Sequence, residues 1–233
     1  MAHTRTDLKA LPTRIDRYPA KMIAHLASTL VERFAMDAAH LVDPFCGSGA
    51  VLRAGSLRRL RVTGIDINPF GVLLTGVKLQ GFDRKRAQQL AAEFLDGTNG
   101  MQELPVSWDK KDYWFTNSTL RKYERLRHRA VEMKLSSSRA GRAVLLAFGL
   151  SVRQCSRADQ RSPKPFISKH ARESRSGKHY DPTIIISRLL DELSDLYGIL
   201  TGVEADVFHL DIGDKGAIRK RVSCCTHIIT SPP

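Results

Sequence analysis

Residues 41–50, LVDPFCGSGA, constrain this chain more than any other feature. An apolar run ends at Asp43 and passes into a turn holding Gly47 and Gly49. Glycine admits positive φ and lets another group approach the backbone where a Cβ would stand. A strand that leads through such a turn into a helix is the βα entry of an α/β fold, and the N–H groups at the helix start suit a carboxylate or a phosphate. Twenty-three positions after Asp43, Asp66 closes a second strand-like run in VTGIDINPF. In nucleotide-binding α/β folds an acid at that place holds ribose hydroxyls. The turn does not follow GxGxxG, and it lacks the GK[ST] ending of a P-loop, which argues against a nucleoside triphosphatase.

The rest of the chain extends this pattern and then interrupts it. Helical spacing covers 23–34, a helix is expected over 50–60, a strand over 61–67, and an amphipathic helix over 83–95 with Asp83 as its N-cap. This β-α-β-α order predicts a parallel sheet with crossover helices. Residues 97–108 read as a loop, 113–133 as one long basic helix and 142–152 as a buried helix. Residues 156–182, rich in Ser, Lys, Arg and Pro and without periodicity, read as a loop. A helix over 183–200 and strands over 205–210 and 227–230 return the chain to its sheet. The expected division is therefore 1–96 and 183–233 as an α/β core, with 97–182 as a basic helical insertion.

Charge sharpens that division. The chain of 233 residues carries a formal net charge of +13. Residues 117–188 hold 17 Lys and Arg against 5 Asp and Glu, so nearly all of the excess lies in one internal segment. Such a concentration fits a polyanionic partner, nucleic acid above all; a solvated basic face is the structural alternative. Hydrophobic residues make up 42% of the chain, as in globular proteins, and no run approaches a membrane span. The polar, basic N-terminal segment has no signal-peptide core, so a cytoplasmic protein is expected. Cys46, Cys155, Cys224 and Cys225 form no CxxC pair and read as reduced thiols, and the scattered histidines predict no metal site, a grouping of Cys155 with His170 and His179 being the alternative.

Five segments, in one order, resemble the amino-group DNA methyltransferases, which modify cytosine N4 or adenine N6. RYPAKMIAHL resembles the segment that precedes their cofactor motif, DPFCGSG the FxGxG cofactor motif, GIDINP the ribose-binding strand end, HLDIGD the next strand end, and HIITSPP the catalytic motif. The resemblance covers roughly residues 18–70 and 205–233. It implies a Rossmann-like core that binds S-adenosyl-L-methionine. Phe45, Gly47 and Gly49 would wrap the methionine part, with Asp43 near its amino group. Tyr18, Pro19 and Lys21 would complete that pocket; Asp66 would hold the ribose and Asp211 would lie by the adenine. Ser231, Pro232 and Pro233 would form the catalytic motif acting on a flipped base. Serine at its first position leans toward cytosine as the target. Carbon-5 methylation needs a cysteine beside a proline, a context none of the four cysteines has.

The same resemblance sets DNA as the expected partner, with the insertion as a recognition region. Tyr113, Trp114 and Phe115 are read there either as base-stacking groups or as core. The family motif continues with an aromatic residue beyond Pro233, and its sheet with further strands. The sheet is therefore expected to be incomplete, with a second chain supplying the remainder, a truncated gene and a fragment as the competing accounts. The rival functions are an RNA amino-group methyltransferase and a non-catalytic DNA-binding remnant.

Overall fold

The computed structural model describes residue 18 and residues 22–98, 100–162, 164–175, 180–198 and 204–231. Contacts divide the chain into two compact units, one formed by 1–81 with 199–233 and the other by 82–198.

The first unit is α/β. Helix α1 (Ala24–Phe34) precedes strand β1 (His40–Asp43), helix α2 (Ala50–Ser56), strand β2 (Arg61–Asp66) and helix α3 (Pro69–Gln80). The four-stranded sheet has the order β3-β2-β1-β4, completed by β3 (Ala205–His209) and β4 (His227–Ile228). Every pairing is parallel. All strands therefore end at one edge of the sheet, with Asp43 opposite Gly64, Asp66 opposite His209 and Val42 opposite Ile228. The chain moves outward from β1 through β2 to β3 and then returns to the other side of β1. The gap between β1 and β4 is thus the topological switch point, where open α/β sheets leave a crevice. Apolar residues of α1, β1, α2 and β2, among them Val31, Leu41, Leu52 and Val62, pack into one buried cluster.

Two helices of this unit escape the periodicity reading. In α3 the Asn68 side chain accepts from Phe70 N–H and Pro69 stands in the first turn, a start signal present in the sequence. Helix α10 (Lys215–Val222) is short and buries no residue, so it has no apolar stripe to reveal it; Asp214 caps it through Ala217 N–H.

The second unit is helical: α4 (Arg84–Asp96), α5 (Lys111–Trp114), α6 (Asn117–Glu132), a 3-10 turn (Leu135–Ser137), α7 (Arg139–Cys155), α8 (Lys169–Arg175) and α9 (Pro182–Tyr197). Asp83 caps α4 as the sequence predicts, its Oδ1 2.7 Å from Arg86 N. The single helix expected over 113–133 is broken, because Phe115 is extended and Thr116 restarts the chain as the N-cap of α6. The loop expected over 156–182 contains α8. Helix α2 stops at Ser56, short of the predicted end at residue 60, and the following Arg59 takes positive φ.

Packing in this unit centres on α7. Phe148 meets Phe94 edge-on at 5.9 Å and Tyr123 at 5.7 Å, while Tyr123 hydrogen-bonds Ser151 at 2.8 Å. Phe115 and Cys155 join Tyr123 in a buried cluster. No helix among the described residues is long and apolar enough to cross a membrane.

Candidate functional site

The site begins with two turns at the ends of β1 and β2. Gly47 and Gly49 have φ of 48° and 77°, values that L side chains rarely adopt. Space forbids a side chain as well. A Cβ on Gly49 would stand 2.7 Å from Thr75 Cγ2 and one on Gly47 3.1 Å from the Tyr18 ring. The turn is held from below: Thr75 Oγ1 donates to Gly47 O at 2.9 Å, and the buried Lys78 ammonium donates to Ser48 O at 2.9 Å. Both side chains come from α3.

Asp66 ties the two turns together. Its Oδ2 accepts from Gly47 N–H at 2.7 Å and its Oδ1 from Asn68 N–H at 2.8 Å. Each carboxylate oxygen keeps further acceptor capacity. Asn68 Nδ2 in turn donates to the Tyr18 hydroxyl at 3.0 Å, which fixes the tyrosine ring over the glycine turn. Burial, with the Asp66 charge second, raises the Tyr18 pKa, so its hydroxyl stays protonated.

Asp43 joins this assembly to the last strand. Its Oδ1 accepts from Phe45 N–H at 3.1 Å and from the Thr230 hydroxyl at 2.7 Å. Asp43 is only 3% exposed. Its carboxyl is pushed up to about 6, chiefly by burial and in smaller part by the Asp66 charge, against the lowering effect of the Thr230 and Phe45 donors. The bond to Thr230 spans the switch point between β1 and β4. It brings the residue before Ser231 to the base of the glycine turn; Ser231 itself is exposed.

The other predicted residues separate. Cys46 is buried against Gly64, and burial pushes its thiol well above the usual range, as suits a small apolar filler. Asp211 is exposed just beyond β3, where its Oδ1 accepts from Gly213 N–H at 2.8 Å in a turn. His209 lies 2.9 Å from Ile67 O and so braces the end of β2. Tyr113 is half exposed, Trp114 partly buried and Phe115 buried, so the three aromatics do not share one role. Pro19, Lys21, His179, Pro232 and Pro233 lie outside the described residues. Sequence reasoning missed Thr230, Asn68, Thr75 and Lys78. Asn68 carried a signal in its Asn-Pro start, whereas the helical pair Thr75 and Lys78 carried none.

Known proteins that align with this chain include two Type II methyltransferases. The Type II methyltransferase M.MvaI of Kocuria varians is 28% identical over a 129-residue alignment, covering 49% of this chain and 28% of that protein. The chain is similar to Type II methyltransferases. M.MjaII of Methanocaldococcus jannaschii, another Type II methyltransferase, is 32% identical over 84 residues, which cover 36% of this chain and 16% of that protein. The matching stretches thus span less than a third of either relative. No family model matches the chain, and no solved structure matches it significantly. The parallel α/β sheet is compatible with a methyltransferase core.

Proposed function

We propose that this chain carries the methyl-donor site and catalytic motif of an S-adenosyl-L-methionine-dependent DNA methyltransferase acting on an exocyclic amino group, cytosine N4. The observation that carries the reading is the 2.7 Å bond from Thr230 to Asp43, which joins the strand before the SPP motif to the glycine turn at the switch point. Similarity to two Type II methyltransferases supports methyl transfer. The basic segment supports DNA as the substrate.

The donor set fits the cofactor. S-adenosyl-L-methionine is a sulfonium that supplies an activated methyl group and also bears an ammonium and ribose hydroxyls. Asp66 would accept from the hydroxyls with the lone pairs left by Gly47 and Asn68 N–H. Asp43, buried and therefore poorly charged when alone, would gain most from a neighbouring cation. Gly47 and Gly49 keep side chains out of the turn, and the Tyr18 ring covers it. Phe45 and Lys21 would complete the methionine side, and Asp211 would serve the adenine from the end of β3.

The catalytic role of the protein is positional. An exocyclic amino nitrogen is a poor nucleophile because its lone pair is delocalised into the ring. The Ser231 hydroxyl and the Pro232 carbonyl would accept its two hydrogen bonds and favour a tetrahedral nitrogen, with Pro233 stiffening the segment. Holding that nitrogen in line with the methyl group would supply much of the acceleration, and no covalent enzyme adduct forms. The test is methyl transfer from labelled cofactor to duplex DNA and, in parallel, to RNA, followed by nucleoside analysis. N4-methylcytosine is expected; N6-methyladenine would overturn the target base, and label in RNA alone would overturn the substrate.

A further inference from the structure

Several cations of the basic segment are engaged internally. Arg125 pairs with Glu103, Arg127 donates to the Pro105 carbonyl, Arg157 to the Asp112 carbonyl, and Lys122 pairs with Asp181. The positive charge of residues 117–188 is therefore a poor guide to where a polyanion would sit. One stretch is different. Residues 161–172 contain no acid, and Lys164, Lys169 and Arg172 are exposed with no ion pair among the described residues.

This stretch is stapled to a single buried carboxylate. Asp159, whose side chain is 4% exposed, accepts from Arg161 Nε at 3.1 Å, from Arg161 Nη2 at 2.7 Å and from Arg161 N at 2.9 Å. The Ser168 hydroxyl also donates to it, and the same oxygen accepts from Ala171 N–H at 3.0 Å inside α8. Asp159 N–H donates to Phe166 O at 2.9 Å. The Arg161 guanidinium holds the Asp159 carboxyl well below the usual carboxylate range, so the staple stays charged at any physiological pH. Asp159 thus holds Arg161, Phe166 and Ser168 together. Yet Phe166, whose own carbonyl is pinned, leaves its side chain 47% exposed between the free cations.

A large apolar ring flanked by exposed cations that make no ion pair among the described residues, with Glu173 the one exposed acid beside them, suits a polyanion that also offers an apolar surface. We propose that residues 164–172, a loop running into the first turn of α8, contact DNA, with Lys164, Lys169 and Arg172 on phosphates and Phe166 against the bases or sugars of the groove. The proposal rests on the reading of DNA as substrate and assigns the contact to named residues.

Binding of the full chain to a random-sequence 20-base-pair duplex, followed by fluorescence anisotropy over a salt series, tests it. Replacing Lys164, Lys169 and Arg172 together by Gln should weaken binding and flatten the log–log salt slope by about 2–3, since each phosphate contact contributes about 0.9. Phe166→Ala should weaken binding about tenfold and leave that slope unchanged, as loss of an apolar or stacking contact does. Titration of S-adenosyl-L-methionine into the same variants separates the two readings. Loop-dependent DNA binding without cofactor binding would support the loop and sink the methyltransferase reading. Cofactor binding unaltered by the changes, beside wild-type DNA affinity and slope in the triple variant, would overturn the loop alone. Loop-dependent binding of an RNA hairpin in preference to the duplex would also overturn it as a DNA contact.

Discussion

Asp43→Asn should make the protein more stable and a worse cofactor binder at the same time. The carboxyl is buried and is raised from 3.8 to about 6 by that burial. A group that binds its proton more tightly when folded loses stability as pH rises between those two values. At 1.36 kcal/mol per pKa unit, the charged form costs about 3 kcal/mol of folding free energy above pH 6, all of it absent well below pH 4. Asparagine is nearly isosteric, and its Oδ1 still accepts from Phe45 N–H and the Thr230 hydroxyl. It carries no charge to desolvate. The assay is urea unfolding of both proteins from pH 5 to 7.5. The wild type should lose about 1.4 kcal/mol relative to Asp43→Asn across that window, with the variant the more stable at pH 7.5. A stability gap independent of pH would refute the reasoning, as would a variant less stable at neutral pH. Cofactor affinity should move the other way. The variant should bind S-adenosyl-L-methionine about tenfold or more weakly, and the wild type should lose affinity as pH falls through about 6, because protonation would remove the charge proposed to face the cation.

Three further outcomes follow from the same contacts. Thr230→Val removes a donor that lowers the Asp43 pKa; the midpoint of the affinity–pH profile should move upward, and Thr230→Ser should restore it. Phe115→Ala should cost about 3–5 kcal/mol in thermal or urea unfolding, because the ring is buried against Tyr123, whereas half-exposed Tyr113→Ala should cost far less. Gly49→Ala should destabilise the first unit in the same assay, since the added Cβ meets Thr75 at 2.7 Å on a backbone with φ of 77°.

What could be read in the sequence was whatever local chemistry determines. The strands ending at Asp43 and Asp66 and the Asp83 cap depend on adjacent residues, and all three appear where the pattern puts them. The bond between Asp43 and Thr230 joins residues 187 apart and depends on the strand order, which periodicity does not encode. The break at Phe115 and Thr116 is hidden by helical spacing on both flanks, although Thr116, the N-cap of α6, carries a local start signal. Charge counting does not show which cations are held internally. Arg127 and Arg157 look like phosphate ligands in a sequence, but each donates to backbone carbonyls, and a carbonyl leaves no mark in composition. Asp159 reads as an unremarkable acid in a basic run, and folding makes it the staple of residues 161–168.

The most direct test of a methyl-donor site at the glycine turn is calorimetric titration of S-adenosyl-L-methionine into the purified chain and into Asp66→Ala, with circular dichroism establishing that both are folded. Asp66 joins the glycine turn to the end of β2 through Gly47 and Asn68. The wild type should bind saturably at one site, and the variant at least about tenfold more weakly. A folded wild-type chain with no saturable binding, or a variant that binds as tightly as the wild type, would contradict that assignment.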